Sequence, residues 1–144
     1  MTNATEPYWN PMVPELIVAS VERSLVFYKA AGFSVRFQRT DPQFAYLELG
    51  NAQLMLEQQH SQGWTIEPLD RPLGRGVNFQ IEVPDAEAVL NNLEALNAPI
   101  FRSLKDTWYQ VSPGREEGQR EFLAQDPDGY LMRFAQYLGT RIAA

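Results

Sequence analysis

The spacing of apolar residues changes twice along the chain from that of a strand to that of a helix. The run 16–18 is apolar and predicts a buried strand that ends at Ser20. After Ser20, apolar side chains recur at the spacing of one helix face, at Val21, Leu25 and Tyr28. This second pattern predicts a helix that ends at Gly32.

The same order of patterns returns 65 residues later. Residues 79–83 alternate between apolar and polar, as a half-buried strand does, and Asp85 follows in the position of Ser20. A second apolar helix face then comes from Val89, Leu90, Leu93 and Leu96. Ser20 and Asp85 are predicted N-caps, and Gly32 and Asn97 are the matching residues that tolerate a left-handed backbone. The repeat of both caps and both stops predicts a duplicated unit.

Three strand-like runs follow each predicted helix. They are 35–38, 44–49 and 53–57 in the first half, and 108–111, 121–125 and 130–136 in the second. Turn residues at 50–51 and 126–129 separate the last two runs of each half. The predicted fold class is therefore α+β, with the order strand, helix, three strands given twice.

The remaining segments set the predicted organisation of the chain. Residues 1–144 are expected to form a single domain, with a first module at 14–58 and a second at 76–138. The segment 59–75 is predicted to be a linker, and 112–119, with one proline and two glycines, a mobile loop.

Composition narrows the environment and the partners. The formal charge is −6, and basic residues do not cluster, so we expect no nucleic-acid partner. The chain has no cysteine, and residues 1–14 hold three prolines where an export signal would be apolar. We expect a cytoplasmic protein without a membrane-spanning segment.

The polar strand positions predict what the second face of each sheet does. With Phe79 and Ile81 turned to a helix, Asn78, Gln80 and Glu82 share the other face. Polar and aromatic groups mixed on one face suit a groove for an organic ligand, and a solvated or dimer-buried face remains the alternative. Phe44 and Tyr46 lie two apart and either stack on a planar ligand or belong to the core.

Two motifs resemble one superfamily over nearly the whole chain, from about Pro14 to Tyr137. Residues 16–28 (LIVASVERSLVFY), with Gly32 and Phe33, resemble the vicinal oxygen chelate superfamily, which includes glyoxalase I, extradiol dioxygenases and bleomycin resistance proteins. Residues 120–130 (REFLAQDPDGY) resemble the same superfamily and are closest to its bleomycin resistance branch.

The resemblance implies a fold and four positions for metal ligands. Paired βαβββ modules are expected to form a cup-shaped mixed sheet with the helices on its convex side, often completed by a second subunit. Enzymes of the superfamily hold a metal at four strand positions, which correspond here to Val13, Met55 (or Glu57), Asn78 and Arg133. These residues are not a typical metal set.

The inventory of side chains supports the same expectation. A two-histidine iron centre needs two imidazoles, but His60 is the only histidine, and it lies in a polar run outside the strands. Arg133 would bring a fixed positive charge that repels a divalent cation. We expect no metal and no cofactor, although oxygen ligands from Glu15, Glu57 and Asn78 remain conceivable.

The resemblance also implies stacking aromatics. Phe44 matches a phenylalanine that stacks on the drug in bleomycin-binding relatives, whereas the matching tryptophan position is Gly118 here. Trp108 or Tyr109 could substitute from the neighbouring strand. Arg120 and Glu121 must face opposite ways, and Arg120 is expected to be an ion-pair partner.

The sequence thus predicts a non-catalytic protein that sequesters a planar or cationic compound such as a bleomycin-family antibiotic. The predicted ligand-binding residues, with no catalytic residue among them, are Phe44, Tyr46, Met55, Glu57, Asn78, Trp108 and Arg133. The alternatives are a divergent lyase or oxidoreductase with an oxygen-ligated metal or none, and a regulatory module with a vestigial cup. A homodimer is expected, because the arm 7–14 exposes Tyr8, Trp9 and Met12 to a partner, unless it covers its own sheet.

Overall fold

Two four-stranded sheets, each with one helix that follows its first strand, make up the computed structural model, which describes residues 7–143. The first module contains β1 (Glu15–Val18), α1 (Val21–Ala31), β2 (Ser34–Arg39), β3 (Phe44–Leu49) and β4 (Ala52–Gln58). The second contains β5 (Asn78–Glu82), α2 (Ala86–Ala95), β6 (Ile100–Ser112), β7 (Arg115–Gln125) and β8 (Leu131–Ile142). The predicted α+β class with two βαβββ modules is confirmed.

Both helices begin and end as the sequence predicts. The Ser20 side chain accepts a 3.1 Å hydrogen bond from the amide of Arg23, and Asp85 accepts one of 3.1 Å from Ala88. Each bond satisfies an amide that the first helical turn leaves without a partner. Gly32 has φ 116° and Asn97 has φ 59°, so both take the left-handed backbone that stops a helix.

The two sheets have the same topology. The order is β1-β4-β3-β2 in the first sheet and β5-β8-β7-β6 in the second. In each module the first strand pairs in parallel with the last, and the other neighbours are antiparallel. The duplication seen in the sequence is therefore a duplication of strand pairing.

The second sheet departs from the prediction at its far end. Residues 112–119 are not a mobile loop, because β6 and β7 continue into a tight turn at Pro113 and Gly114. Trp108 pairs with Gly118, and Glu117 pairs with Thr140 of β8. Pairing on both sides holds this glycine-containing, charged segment extended, although local propensity favours a loop.

The core lies between each sheet and its helix and is continuous across both modules. Val18, Leu47 and Leu56 of the first sheet are fully buried, as are Met132 and Phe134 of the second. The helices also touch each other: the Asn92 side chain donates a 3.1 Å hydrogen bond to the carbonyl of Ala30.

Within residues 7–143, no helix has the length and apolar character needed to cross a bilayer. The predicted absence of an export signal rests partly on residues 1–6, which lie outside the described residues.

Candidate functional site

Each sheet has one face turned away from its helix, which is called its open face. Because neighbours on a strand alternate, Ala45 and Leu47 enter the core while Phe44 and Tyr46 reach the open face of the first sheet. In the second sheet, Met132 and Phe134 enter the core and Arg133 reaches the open face. The open faces are where the sheet surface is free to carry a site.

The open face of the first sheet is already filled by aromatic side chains. Phe44 and Tyr46 are 2% and 5% exposed. The ring of Phe37 stacks on both, at centroid distances of 5.7 Å and 5.5 Å, and Trp9 packs edge-on to Tyr46 at 4.9 Å. The guanidinium of Arg39 covers the Phe44 ring at 4.1 Å. The predicted stacking pair therefore has partners from its own chain.

The arm 7–14 covers its own sheet, which was one of the two predicted arrangements. Gln53 fixes it in place: its side-chain oxygen accepts from the amide of Asn10 at 2.9 Å, and its NH2 donates to the carbonyl of Tyr8 at 2.7 Å. The Tyr46 hydroxyl donates to the same Gln53 oxygen. Trp9 remains half exposed at 49%.

Met55 and Glu57 lie on the same open face, nearer to β1. The Glu57 carboxylate is 3.1 Å from Nε2 of His60, so the only histidine of the chain contacts a predicted site residue. Burial, and then the nearby charge of Glu57, raise the pKa of Glu15. This corner holds two acidic groups and one imidazole.

The second sheet carries a cavity of about 360 Å³ on its open face, which we call the sheet-two cavity. Its lining residues are Gln80, Tyr109, Val111, Glu117, Gln119, Arg133 and Tyr137. They come from β5, β6, β7 and β8, so every strand of the sheet contributes. Aromatic walls and a few converging polar groups are typical of small-molecule sites.

Two residues that line this cavity each have one buried polar side-chain atom without a hydrogen-bond partner. These atoms are Nε of Arg133 and the side-chain oxygen of Gln119. The Nη2 atom of Arg133 donates to the side-chain oxygen of Gln80, which fixes the guanidinium against β5. A buried donor and a buried acceptor without partners cost free energy in the free protein, which a ligand can recover.

Two tyrosines of the cavity are oriented by carboxylates. The Tyr109 hydroxyl donates to the buried Glu121, and this hydrogen bond, with burial, raises the pKa of Tyr109. The Tyr137 hydroxyl donates to Glu117 at 2.6 Å, and that bond lowers the pKa of Glu117. Both rings are therefore fixed at their hydroxyl ends.

Trp108 lies on the opposite face of the second sheet from Arg133. It pairs with Gly118, and its indole lies over the bare α-carbon of that glycine. The Arg141 guanidinium covers the other part of the ring at 4.2 Å. Arg120 is on this face too, paired with Asp106 at 2.8 Å as the sequence suggested. Tyr109, rather than Trp108, reaches the cavity.

The structure thus divides the seven predicted site residues among three places. Phe44, Tyr46, Met55 and Glu57 lie on the first open face, Asn78 and Arg133 on the second, and Trp108 behind the second. Asn78 is exposed at the start of β5 and does not line the sheet-two cavity.

Sequence reasoning did not assign Tyr137 and Gln119 to the site. Gln119 falls in the segment read as a loop, and Tyr137 lies one residue past the predicted end of the last strand. Strand alternation carried on from Phe122 would have turned Gln119 to the open face with Glu121.

The four positions that hold metal in enzymes of the superfamily do not suit one here. Val13 and Met55 offer no hard ligand, and the guanidinium of Arg133 places a positive charge on the second open face. Among residues 7–143, no group of three or more histidine, cysteine or acidic side chains is arranged to hold an ion. The donor set therefore does not fit the metal that the superfamily implies.

A larger groove, of about 820 Å³, runs between the end of α1 and the start of α2. Small residues such as Ala30, Ala31 and Ala88 line much of it. Its charged groups are Lys29 and Asp85, at the ends of the helices, and Glu82, at the end of β5. Tyr137 borders both this groove and the sheet-two cavity. In the described part of the chain, two of the buried side-chain atoms without partners belong to residues that line the smaller cavity, and none belongs to a residue that lines the larger groove, so we place the candidate site in the smaller cavity.

Several solved structures are similar to this chain. TioX from Micromonospora sp. ML1 is 21% identical with a TM-score of 0.66, covering 90% of this chain and 100% of that one. A virulence protein from Salmonella typhimurium is 16% identical with a TM-score of 0.63, covering 92% and 100%. A glyoxalase/bleomycin resistance protein/dioxygenase from Alicyclobacillus acidocaldarius is 15% identical with a TM-score of 0.58, covering 90% and 92%.

Neither a protein-family model nor a curated protein matches the sequence. The similarity therefore lies in the structure: the chain has the glyoxalase/bleomycin resistance protein/dioxygenase fold, that of the vicinal oxygen chelate superfamily. A fold of this kind carries many activities, so function must be argued from the site.

Proposed function

We propose that this chain is a non-catalytic small-molecule-binding protein of the glyoxalase/bleomycin resistance type. It sequesters a planar or cationic compound, such as a bleomycin-family antibiotic, on the open face of the second sheet. The observation that carries the proposal is Arg133: at a position where metal enzymes of the superfamily hold a ligand, a guanidinium with a buried, unpartnered Nε lines a cavity.

The surroundings of Arg133 support binding of a flat organic compound. The rings of Tyr109 and Tyr137 stand beside it, each held by a carboxylate at its hydroxyl end. Planar compounds gain free energy by stacking on such rings, and Glu117 adds a negative charge that attracts a cationic group. The role of Phe44 as a stacking residue would require Phe37 and Arg39 to move aside.

The drug itself is tested by calorimetry. Bleomycin, with and without copper, is titrated into the purified protein and into Arg133→Met. If bleomycin binds at the sheet-two cavity, its titration into the wild type should release or absorb heat. The affinity of Arg133→Met for the drug should be at least about tenfold lower. No heat and no change of melting temperature with either form would contradict bleomycin as the ligand.

We further propose that a second copy of the chain completes the groove. Strands of the two modules do not pair with each other among the described residues, so both open faces remain uncovered by the other module. Tyr109, Val111 and Tyr137 are 40%, 55% and 54% exposed on the second face, an apolar surface that a partner would bury. The compartment we propose is the cytoplasm, in keeping with the absence of cysteine.

Sedimentation equilibrium tests the dimer. The proposal predicts a mass near twice 16.4 kDa at micromolar concentrations, and a monomer mass for Val111→Glu, which places a charge on the exposed face. Val26→Glu is the matched control, because Val26 is also 56% exposed but lies on α1. A wild-type monomer at all concentrations would contradict a shared groove.

A further inference from the structure

We propose that the part of the ligand beside Arg133 in the sheet-two cavity is an uncharged carboxamide carried on a planar ring, in preference to an anionic or a cationic group. This inference rests on the proposed function and specifies the chemistry of its ligand. It follows from the two buried atoms without partners, one a donor and one an acceptor, and from the balance of charge around them.

The donor is Nε of Arg133. Because the guanidinium is planar, the direction of this N–H follows the orientation of the whole group, whose Nη2 contacts the side-chain oxygen of Gln80. A ligand carbonyl placed in the cavity would accept this hydrogen. The gain is that of a hydrogen bond to a charged group whose donor is already desolvated.

The acceptor is the side-chain oxygen of Gln119. It lies on the same open face, on the β7 strand that also carries Glu117 and Glu121. A ligand N–H would donate to it. A carboxamide is the simplest group that presents a carbonyl and an N–H together, so it supplies both kinds of partner that these atoms lack.

The charges near Arg133 favour a neutral group. Glu121 is buried and stands diagonally across the β7–β8 ladder from Arg133, and Glu117 lines the same cavity. A ligand carboxylate would be repelled by these two side chains, and a ligand ammonium or amidinium by Arg133. An amide forms the same hydrogen bonds without either repulsion.

The side chains that line the cavity favour a ligand with a planar ring. The apolar parts of three side chains line the cavity: Tyr109, Tyr137 and Val111. The two tyrosine hydroxyls are hydrogen-bonded to Glu121 and Glu117. The tyrosines thus offer ring faces more than free hydroxyl donors. A ring attached to the amide would pack against them.

The test uses three probes of one shape: benzamide, benzoate and benzamidine. Each is titrated into the 15N-labelled protein while the side-chain Nε–H signal of Arg133 and the amide signals of Gln119 are followed. Benzamide is expected to shift both, with a dissociation constant of about 1 mM, as for other very small ligands. Benzoate and benzamidine are expected to bind at least about tenfold more weakly.

Matched variants locate the contacts. Arg133→Met and Gln119→Met are each expected to weaken benzamide binding about tenfold. Arg120→Met and Gln110→Met remove the same two residue types from the opposite face of the sheet and are expected to leave it unchanged. Backbone spectra of all four variants report whether the fold is retained.

The possible outcomes separate this inference from the proposed function. Tighter binding of benzoate or benzamidine than of benzamide, or an unchanged affinity in Gln119→Met, would overturn the carboxamide while leaving a ligand site. Shifts confined to other residues, or no shift with any probe, would also overturn it. The proposed function is tested separately: it is supported if other compounds bind the wild type more tightly than Arg133→Met, and contradicted if none does.

Discussion

The hydroxyl of Tyr28 donates a 2.6 Å hydrogen bond to the carboxylate of Asp126, which lies 98 residues away in the other module. Both groups are buried, with Tyr28 fully enclosed and Asp126 only 3% exposed. Asp126 also accepts from the amides of Asp128 and Tyr130, so one carboxylate holds the turn before β8 and links it to α1. This contact joins the modules from the helix side, away from both open faces.

The Asp126 contact predicts a specific dependence of stability on pH. Burial raises the pKa of Asp126 from 3.8 to about 6, against the opposing effect of its hydrogen bonds. Because the folded state then binds the proton more tightly than the unfolded state, this residue stabilises the fold as pH falls from about 6 to 4. The change is up to about 3 kcal/mol in the free energy of unfolding.

Asp126→Asn removes this titration while keeping an oxygen for the two amides. Urea unfolding of both proteins at several pH values should give a difference in free energy that changes between pH 4 and 6 and is constant above about pH 7. A difference that is the same at all pH values would show that Asp126 does not titrate in this range.

Gly118 predicts a steric coupling with Trp108. A methyl group on Gly118 would lie 2.7 Å from the indole carbons, so Gly118→Ala must displace the ring and should cost about 1–3 kcal/mol. In Trp108→Ala the same glycine substitution should cost little, because the ring is gone. Equal costs in both backgrounds, measured by chemical denaturation in a double-mutant cycle, would contradict the packing.

The packing of the arm 7–14 predicts that replacing two exposed tryptophans will have unequal effects on stability. Trp9→Ala loses the contacts with Tyr46, Phe37 and the Arg36 guanidinium and should lower the free energy of unfolding by about 1–2 kcal/mol. Trp64→Ala is the control, because Trp64 is 89% exposed and its loss should cost less than about 0.5 kcal/mol. An equal loss of unfolding free energy in the two variants would mean that Trp9 does not pack the arm against the first open face.

Metal content gives a further prediction, drawn from the donor chemistry. Protein purified without chelators should contain no stoichiometric divalent metal by elemental analysis, since the acidic corner of Glu15, Glu57 and His60 offers one imidazole and no thiolate. Stoichiometric metal that is lost in Glu57→Ala but retained in the control Glu67→Ala would instead support an enzyme with an oxygen-ligated ion.

Much of the fold could be predicted from the sequence because the residues that define the helix ends and strands act locally. Ser20, Gly32, Asp85 and Asn97 act through their own backbone neighbours, so their types predict both helix ends. The strand 44–49 has the bounds that its pattern predicts. The long β6–β7 hairpin was missed because pairing with β8, far along the chain, holds it extended.

The candidate site could be predicted only in part, because it depends on contacts between residues that are far apart in the sequence. Alternation placed Arg133 on the face away from the helix and put Phe44 and Tyr46 together on one face. It could not show which face this is, or that Phe37 and Trp9 cover the two rings. It also left Trp108 and Tyr109 as alternatives, and only the register against Gly118 and Glu117 decides which enters the cavity. Burial by distant residues is not encoded in a strand's own pattern.

The central claim, that the open face of the second sheet is a ligand site, is tested most directly by melting temperatures in a panel of planar and cationic compounds. The wild type and Arg133→Met are compared, with Arg120→Met as the control on the opposite face. We predict that at least one compound, at about 100 times its dissociation constant, raises the melting temperature of the wild type and of the control by about 5 °C but not that of Arg133→Met. Equal stabilisation of all three proteins, or of none, would contradict the claim.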